Sequence, residues 1–528
     1  MIRRRFPDCG RVFLTIAAGL FITAPSLFAT VALHGIFSDH AVLQRAERVP
    51  VWGTAAPGEK ISLRLGNASA RATAQADGSW KAFLNLQTEK EGPFEFIVEG
   101  EGNKITLTDI LIGEVWLCSG QSNMRFHLSK SAGGEEEATR AANPKIRLLS
   151  VGLNVADQPV SRLREKWTVC DPSTAATFSA VGYYTGQTLH ENLNVPIGLI
   201  SISWAGTVIE TWMSPQALAS DPDFKPITDR WAQKEAEYPQ KKAEYDQNKD
   251  ALMAAWRQQA DEAKAKGLRE PFPPSPPAGP LSLARPSGLY YGEISPVAPY
   301  RLGGVLWYQG EQNVGRAFQY RKLLPALIAD WRSLWNQSDL PFVIIQLPNF
   351  GKPESQPRSN NFAELREGQA LTASTVPHTA LVVTIDAGEE ADIHPKDKKT
   401  VGVRAGRLIA KEFYRAPIAE AVRGPTFASA TVKGNSLRVR FDHAAGLKTR
   451  DGKPPAYFAI AGTDGRYVWA DATIEGDTVV LKAASVPVPA TVRYNWATAP
   501  HGNLCNSADL PAAPFRTDTL RASTEGQN

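Results

Sequence analysis

The chain has 528 residues, of which 43% are hydrophobic and 21% charged, the proportions of a soluble globular protein. A chain of this length is too long for one hydrophobic core, so we expect several domains. The net charge of +4 arises from interspersed charges of both signs, which argues against a nucleic-acid-binding protein.

The first 29 residues have the pattern of a secretory signal peptide. Arg3, Arg4 and Arg5 precede an apolar run at 12–22, and small residues then lead to a predicted cleavage near Ala29. The run is too short to span a bilayer comfortably, so a membrane anchor is the weaker alternative. We therefore expect a periplasmic or secreted protein that has no membrane contact after cleavage.

Three cysteines follow this leader: Cys118, Cys170 and Cys505. The apolar residues around Cys118 predict a buried thiol, and a Cys170–Cys505 disulfide is left open by the sequence. No CxxC motif or His/Cys cluster indicates a zinc site, so the sequence predicts no metal and no cofactor.

Two segments of short, partly alternating strands separated by turns flank a central region. Residues 30–108 predict an N-terminal β-sandwich, and residues 416–528 predict a C-terminal β module of similar type. Turn sequences such as "ADGS" in the first segment and "EGD" in the second separate the strands.

Residues 109–415 alternate near-continuous apolar runs with helical patterns, which predicts an α/β domain built on a parallel sheet. The runs are 114–118, 197–203, 304–308, 342–347 and 380–385, and the clearest helical patterns are 318–335 and 397–414.

Residues 217–284 are predicted to be an insertion in this domain. Its Ala-, Lys- and Glu-rich part predicts a helical hairpin broken near Pro239, and the Pro-rich segment after it predicts irregular structure. Capping the domain and a mobile appendage are both compatible with this composition.

The residues that follow the apolar runs are the ones acyl transfer requires. Parallel strands present their carboxyl ends at one edge, where α/β proteins bind ligands. Ser122 follows the first run, Gly206 the second and Asn313 the third, and His394 follows the last. A serine needs a base to accept its proton, and an oxyanion needs donors. Most of the other histidines lie in the flanking β segments, a helix or at the opposite edge. His127, five residues after Ser122, could lie near the serine and is a second histidine to consider as the base.

Several motifs, quoted in chain order, resemble the sialate O-acetylesterase family of SGNH hydrolases. They are "GEVWLCSGQSNM", "RPSGLYYGEISP", "WYQGEQN" and "DIHPKDKKTVGVRAGRLIA". The resemblance spans nearly the whole chain after the leader. It implies a three-layer, parallel-sheet SGNH hydrolase domain that removes acetyl groups from sugar hydroxyls without a metal.

The resemblance implies roles for individual residues. Ser122 is the nucleophile, His394 is the base, and Gly206 and Asn313 join the Ser122 N–H as oxyanion donors. SGNH enzymes commonly place the orienting aspartate three residues before the histidine, where this chain has Ala391. Asp392 is the preferred acid and Asp386 the alternative, with Glu389 and Glu390 behind them.

The substrate side is less defined. Gln121, Trp204, Gln309 and Glu311 are candidate substrate-binding residues, although buried amides also serve the local backbone. Among the nearby aromatic residues, Trp307 is expected in the core, whereas Trp212 is evenly balanced between the core and a sugar platform. Arg125, Arg301 and Arg316 are candidates to bind the carboxylate of a sialic acid.

The expected partner is an O-acetylated carbohydrate, either a sialic acid or a plant hemicellulose such as xylan or xyloglucan. Two other functions compete with this one. A metal-dependent phosphoesterase would use Asp392 and His394 as ligands, but two ligands are too few. A carbohydrate-binding protein without catalysis would make the Ser–His pairing accidental. The oligomeric state is not readable from the sequence.

Overall fold

A computed structural model describes residues 30–527; the predicted signal peptide at 1–29 lies outside them. Its first part consists of strands: β1 (Ala32–Leu33), β2 (Val42–Gln44), β3 (Val49–Thr54), β4 (Lys60–Leu65), β5 (Ala68–Thr73), β6 (Ser79–Leu84), β7 (Phe94–Glu99) and β8 (Lys104–Gly120). Strands β1, β3 and β6 form one antiparallel sheet, and β5, β4, β7 and the start of β8 form another.

Strand β8 is 17 residues long and belongs to two parts of the fold. Its first half pairs antiparallel with β7, and its middle pairs parallel with β2. Its second half becomes fully buried as it enters the central sheet. The position between residues 108 and 109, where the sequence texture changes, therefore lies inside one continuous strand.

The central sheet is parallel over six strands, in the order β9-β11-β8-β12-β13-β14, with β10 antiparallel at one edge. The added strands are β9 (Asn143–Ser150), β10 (Thr168–Cys170), β11 (Ile197–Ser203), β12 (Gly304–Tyr308), β13 (Phe342–Ile345) and β14 (Thr379–Val382). The five predicted apolar strands are confirmed as a parallel set. Strand β9 was not predicted, because its start, "NPK", is polar and contains a proline.

The α-helices are α1 (Ser122–Arg125), α2 (Gly134–Thr139), α3 (Pro172–Ala176), α4 (Ala180–Leu193), α5 (Pro215–Leu218), α6 (Lys225–Ala265), α7 (Ala317–Trp335), α8 (Asn361–Thr375) and α9 (Lys398–Glu412). Short 3-10 segments include Ile209–Trp212 and Glu311–Arg316, and Tyr290–Ile294 is a π-helical turn. Helix α4 packs along α9, and α7 along α8. Gly402 permits the α4–α9 approach, since a Cβ there would lie 2.5 Å from the Cβ of Tyr184.

The predicted helical hairpin is wrong: α6 is one helix of 41 residues that continues through Pro239. Proline removes one helical hydrogen bond and usually kinks or ends a helix. Strong helix formers surround it here, and Lys241 and Lys242 form ion pairs four residues away with Glu237 and Asp246. The Pro-rich segment runs back along this helix, where Pro271 accepts a hydrogen bond from Trp256.

The last part contains β15 (Thr426–Lys433), β16 (Ser436–Asp442), β17 (Lys448–Thr449), β18 (Phe458–Ala461), β19 (Val468–Trp469), β20 (Asp471–Glu475), β21 (Thr478–Lys482), β22 (Thr491–Tyr494), β23 (Leu504–Cys505) and β24 (Phe515–Arg516). Two four-stranded antiparallel sheets, β15-β16-β21-β20 and β19-β18-β22-β24, share a hydrophobic core of their own. Buried Arg366 of α8 ties this part to the central sheet by donating to the carbonyls of Ala497 and Thr498.

Two further expectations can be compared with residues 30–527. The disulfide that the sequence left open is not formed, since Cys118, Cys170 and Cys505 are all buried free thiols. Burial raises the pKa of the Cys118 thiol to about 12, so it stays protonated and unreactive at neutral pH. Across the same residues, no helix has the length and apolar character needed to cross a membrane.

Candidate active site

Three neighbouring strands of the central sheet end level with one another. Gly120 at the end of β8 pairs with Ser203 at the end of β11 and with Tyr308 at the end of β12. The three loops that follow therefore start side by side at the carboxyl edge of the sheet. The predicted residues Ser122, Gly206 and Asn313 lie on these loops, at the edge where they were expected.

A sharp turn at Gly120 carries the chain from the sheet to Ser122. Gly120 has φ +139°, and a Cβ there would lie 2.1 Å from the Tyr308 carbonyl oxygen, so only glycine fits. Gln121 N–H then donates to that same carbonyl oxygen over 3.0 Å. Ser122 is the first residue of α1, where a backbone N–H has no partner within the helix.

The other two predicted oxyanion donors come from the loops after β11 and β12. Gly206, with φ +72°, is exposed, and its N–H donates no hydrogen bond to any residue between 30 and 527. The Asn313 side chain is buried, and its Oδ1 accepts from Ile209 N–H at 2.9 Å and from Gln309 Nε2 at 2.7 Å. These acceptor contacts fix which end of the Asn313 amide carries the N–H groups.

Glu210 is a residue that the sequence reasoning missed. Its Oε2 accepts from Asn313 Nδ2 at 3.0 Å, and its other carboxylate oxygen is paired with Arg316. One of the two Asn313 N–H bonds is thereby used, and the second is left to donate elsewhere. The signal for Glu210 is weak in the sequence, because a single acid within "TVIETW" looks like a solvated residue.

His394 and Asp392 lie together on the loop after β14. Asp392 Oδ1 accepts from the His394 backbone N–H at 2.9 Å and lies 3.3 Å from His394 Nδ1. The side chains are 39% exposed for His394 and 48% for Asp392, so the pair faces solvent. An acid beside Nδ1 leaves Nε2 of the ring for another partner.

The alternative acids are occupied elsewhere. The Asp386 side chain is only 9% exposed. Its carboxylate accepts from Nη1 and Nη2 of Arg404, at 2.7 and 2.8 Å, and lies 2.7 Å from Nη2 of Arg450. Burial would raise the Asp386 pKa, but the two arginines hold it below its ordinary value. Glu389 accepts from Lys396 N–H at 2.6 Å, and Glu390 lies 3.4 Å from His501. Of the four candidate acids, Asp392 is therefore the one that lies beside His394 Nδ1.

A buried polar network lies directly beside the serine. Asn123 Nδ2 donates to Glu311 Oε1 at 2.6 Å and to the Ile393 carbonyl at 3.1 Å, while its Oδ1 accepts from Lys398 Nζ at 2.6 Å. Burial lowers the pKa of Lys398 to about 7, although nearby carboxylates favour its charged form. Burial raises the pKa of Glu311, a rise that Asn123, Lys398 and His394 limit.

The sequence pattern of α9 contains a signal for Lys398. Lys398 stands three residues before Val401 and seven before Ala405, so it falls on the apolar face of α9. Its ammonium lies 5.0 Å from the Phe126 ring centroid and 5.6 Å from that of Tyr308. A lysine on the buried stripe of a helix is a signal for a paired or functional cation.

The predicted substrate-binding residues are mostly engaged with protein. Gln121 is buried, and its Oε1 accepts from the backbone of the β12 loop at 3.2 and 3.4 Å. Gln309 is buried and donates to Thr207 and Asn313. Glu311 belongs to the Asn123 network, and Trp204 is half-buried beside the Gly120 turn. Their contacts with substrate stay predictions, and Trp204 and Glu311 are the partly exposed members of the four.

The aromatic and basic candidates separate by position. Trp307 and Trp212 are both fully buried and pack edge to face, which confirms the core assignment of Trp307 and decides the case of Trp212. Arg316 is paired with Glu210. Arg301 precedes β12 and so lies at the amino edge, away from Ser122. Arg125, at the end of α1, stays close to the serine.

Across residues 30–527, no group of three or more His, Cys, Asp or Glu side chains is arranged to hold a metal ion.

The comparison with known families gives a clear match. The model for carbohydrate esterases described as sialic acid-specific acetylesterases matches residues 112–264 and 292–415, more than half of the chain. The chain belongs to the sialic acid-specific acetylesterase family. It is therefore a carboxylic ester hydrolase, and the family expected from the sequence motifs is confirmed.

Relatives of this acetylesterase extend over most of its length. It is 27% identical to a sialate O-acetylesterase of Mus musculus over 531 residues, covering 90% of this chain and 92% of that one. The sialate O-acetylesterase of Homo sapiens is 28% identical over 408 residues, covering 70% and 68%. A crystal structure of a carbohydrate acetylesterase from Xanthomonas citri is similar with a TM-score of 0.77, at 31% identity over 93% of this acetylesterase and 100% of that chain.

Proposed function

We propose that this acetylesterase is a serine enzyme that hydrolyses acetyl esters on sugar hydroxyls through an acetyl-enzyme. The observation that carries the proposal is the level ending of β8, β11 and β12, which sets Ser122 beside the Gly206 and Asn313 loops. The hydrogen bond from Asn123 to the Ile393 carbonyl supports the base assignment, because it brings the His394 loop to the serine loop.

In the proposed reaction, Ser122 Oγ attacks the acetyl carbonyl carbon while His394 Nε2 accepts the serine proton. Asp392, beside Nδ1, holds the ring in the required tautomer and stabilises its charged form. Negative charge develops on the carbonyl oxygen, where the N–H groups of Ser122, Gly206 and the Asn313 amide donate.

The bond between the acetyl carbon and the sugar oxygen then breaks, and His394 gives its proton to the departing sugar oxygen. The acetyl group stays on Ser122 as an ester. A water molecule then attacks that ester, and His394 accepts its proton. The tetrahedral intermediate that results breaks down to acetate, and His394 returns the proton to the Ser122 oxygen. His394 and Asp392 are both partly exposed, so water can reach the intermediate.

A sialic acid is the first substrate that we propose, and Arg125 is the residue that favours it. Sialic acids carry a carboxylate, and Arg125 stands at the end of the helix that begins with Ser122. Burial raises the pKa of the nearby Glu293 to about 8, so at pH 7 that carboxyl is protonated and does not neutralise Arg125. The arginine charge is therefore left to attract an anionic sugar.

An acetylated neutral hemicellulose is the second candidate. It stays a candidate because the similar Xanthomonas citri enzyme, at 31% identity, is described as a carbohydrate acetylesterase, a description that is not restricted to sialic acids. Acetate release from O-acetylated sialic acid and from acetylated xylan or xyloglucan decides between them. Arg125→Gln should raise KM on the sialate at least several-fold and leave p-nitrophenyl acetate unaffected.

The finer architecture also belongs to this proposal. We propose a three-layer SGNH domain at 109–415, in which α4 and α9 cover one face of the sheet and α7 and α8 the other, flanked by β-sandwich modules at 30–108 and 416–528. The packing of α4 on α9 and of α7 on α8 supports it. A leader at 1–29 would place the mature enzyme in the periplasm or outside the cell, which N-terminal sequencing of the exported protein tests.

Two experiments separate this function from its rivals. Turnover of p-nitrophenyl acetate that a serine-reactive phosphonate abolishes and a chelator leaves intact supports the serine esterase over a metal-dependent phosphoesterase. Glycan binding by wild-type protein that turns over no acetyl ester would instead support a carbohydrate-binding protein. Ser122→Ala is the control in both assays, since it removes only one hydroxyl oxygen.

A further inference from the structure

Asn123 links three of the four loops that carry the proposed catalytic groups; the Gly206 loop is the one that it does not contact. It follows Ser122 directly, it donates to Glu311 on the loop that also holds Asn313, and it donates to the carbonyl of Ile393, between Asp392 and His394. Its side-chain oxygen accepts from Lys398, the first residue of α9. Asn123 and Lys398 are both 0% exposed, so the bond between them forms away from water.

The chemistry of the partners fixes the orientation of the amide. Lys398 Nζ donates, so Asn123 Oδ1 must face it. The Ile393 carbonyl only accepts, and Glu311 Oε1 accepts as well, so both must face the NH2 group. An asparagine amide supplies this combination of one acceptor and two donors, whereas aspartate of the same size supplies acceptors alone.

We propose that Asn123 is a positioning residue, held by Lys398 and Glu311, that sets the distance between Ser122 and His394. The role rests on the proposed serine esterase function. The bond to Ile393 holds the backbone that carries both Asp392 and His394, and the peptide bond between residues 122 and 123 carries the same constraint to the serine. A misplacement of about 1 Å between reacting groups can cost ~10²-fold in rate.

Lys398 holds the far end of this network. Its hydrogen bond to Asn123 is 2.6 Å, and its ammonium lies over the Phe126 and Tyr308 rings. It is fully buried and donates to Asn123 rather than to Ser122. Lys398 therefore acts on the reaction through Asn123 and does not touch substrate.

The test begins with Asn123→Asp, which keeps the size of the side chain and turns its two donors into acceptors. A carboxylate would then face the Glu311 oxygen and the Ile393 carbonyl. We expect kcat for p-nitrophenyl acetate to fall ~10- to 100-fold, with KM within about twofold of wild type, because the loops shift while the acyl site is kept. The rate of Ser122 labelling by a phosphonate should fall in parallel.

Rescue separates positioning from a general loss of structure. When Glu311→Gln is combined with Asn123→Asp, the amide introduced at position 311 can donate to the carboxylate introduced at position 123, so kcat should recover at least threefold over the single variant. Lys398→Met removes the donor and keeps an apolar chain beside Phe126, and we expect kcat to fall as for Asn123→Asp. Lys399→Met is the matched control, since Lys399 is exposed and lies next along α9.

The outcomes are distinguishable, provided that circular dichroism shows each variant folded. Wild-type kcat in Asn123→Asp overturns the positioning role, as does a double variant no faster than the single one. If Asn123→Asp does not fold, Lys398→Met decides, and wild-type kcat there overturns the role. If wild-type protein itself turns over no acetyl ester, the proposed function fails together with this inference. Activity in wild type that is lost in Ser122→Ala keeps the function and isolates the test of Asn123.

Discussion

Replacing Asp392 with asparagine removes the negative charge beside the His394 ring. It keeps a side-chain oxygen that can accept from the His394 backbone N–H. In the structure, Asp392 Oδ1 accepts from the His394 N–H at 2.9 Å and lies 3.3 Å from Nδ1. The asparagine oxygen can still accept from that N–H, so the loop should keep its shape. The charge that stabilises protonated His394 during the reaction is lost.

The structure limits the size of this effect. The 3.3 Å contact between Asp392 Oδ1 and His394 Nδ1 is an ion pair once the ring is protonated, and a charge-assisted hydrogen bond, about 1.5–3 kcal/mol, is its upper bound. Since His394 and Asp392 are 39% and 48% exposed, solvent screening reduces this to about 1–2 kcal/mol. At about 1.36 kcal/mol per factor of ten, Asp392→Asn should lower kcat roughly 5- to 30-fold.

Asp386→Asn is the matched variant, six residues earlier on the same loop. Asp386 is buried between Arg404 and Arg450, so its loss leaves two cations without their partner. Breaking such a buried pair costs about 3–5 kcal/mol of folding free energy. We therefore expect a lower melting temperature, with kcat of the folded fraction close to wild type.

The assay is kcat for p-nitrophenyl acetate between pH 5 and 9, together with thermal unfolding followed by circular dichroism. A kcat for Asp392→Asn within twofold of wild type across this range would refute the role of Asp392 beside His394. A larger loss of kcat in Asp386→Asn than in Asp392→Asn, at an unchanged melting temperature, would refute it equally, because Asp386 would then be the acid partner.

Three further predictions follow from the same geometry. Ser122→Ala should remove nearly all ester hydrolysis with an unchanged circular dichroism spectrum, and residual turnover above a few per cent would contradict the nucleophile assignment. Asn313→Ala should lower kcat ~10²–10³-fold, the typical effect of losing an oxyanion donor, and near wild-type turnover would contradict that role. Burial raises the pKa of Glu293 to about 8 in the folded state from an ordinary value of 4.5, so the folded protein binds the extra proton and stability falls as pH rises between these values. Glu293→Gln keeps the acceptor for Asn154 N–H and should remove about 4 kcal/mol of that fall, measured by urea unfolding at pH 5 and pH 9, and identical pH dependence in the two proteins would contradict it.

The central sheet was readable from the sequence because its strands are buried on both faces. Runs such as 197–203 and 304–308 contain no charged residue and are mostly apolar, and parallel strands covered by helices require that pattern. The course of α6 was not readable, because a proline within a run of strong helix formers gives two opposed signals. Local propensity does not decide which of them prevails.

Within the site, the sequence could place residues at an edge but not decide between neighbours. Asp392 and Asp386 are six residues apart on one loop, and the distinction depends on Arg450, which is distant in sequence. The buried position of Asn123 was likewise hidden, since amide residues are assigned to the surface by default, whereas Lys398 was marked only by its place on the apolar face of α9. Only the fold brings their partners within hydrogen-bond distance.

Strand β8 makes the N-terminal sheets and the catalytic loop parts of one mechanical element. Gln44 of β2 accepts from Val115 N–H at 2.8 Å and donates to buried Glu114 at 2.6 Å, so the neighbouring strand satisfies the polar groups of β8 within the sheet. Removal of residues 30–103 would strip β8 of β7 and β2 and leave Glu114 without its Gln44 partner. The N-terminal unit is thus not an interchangeable module, and evolution can replace it only together with the strand that delivers Ser122.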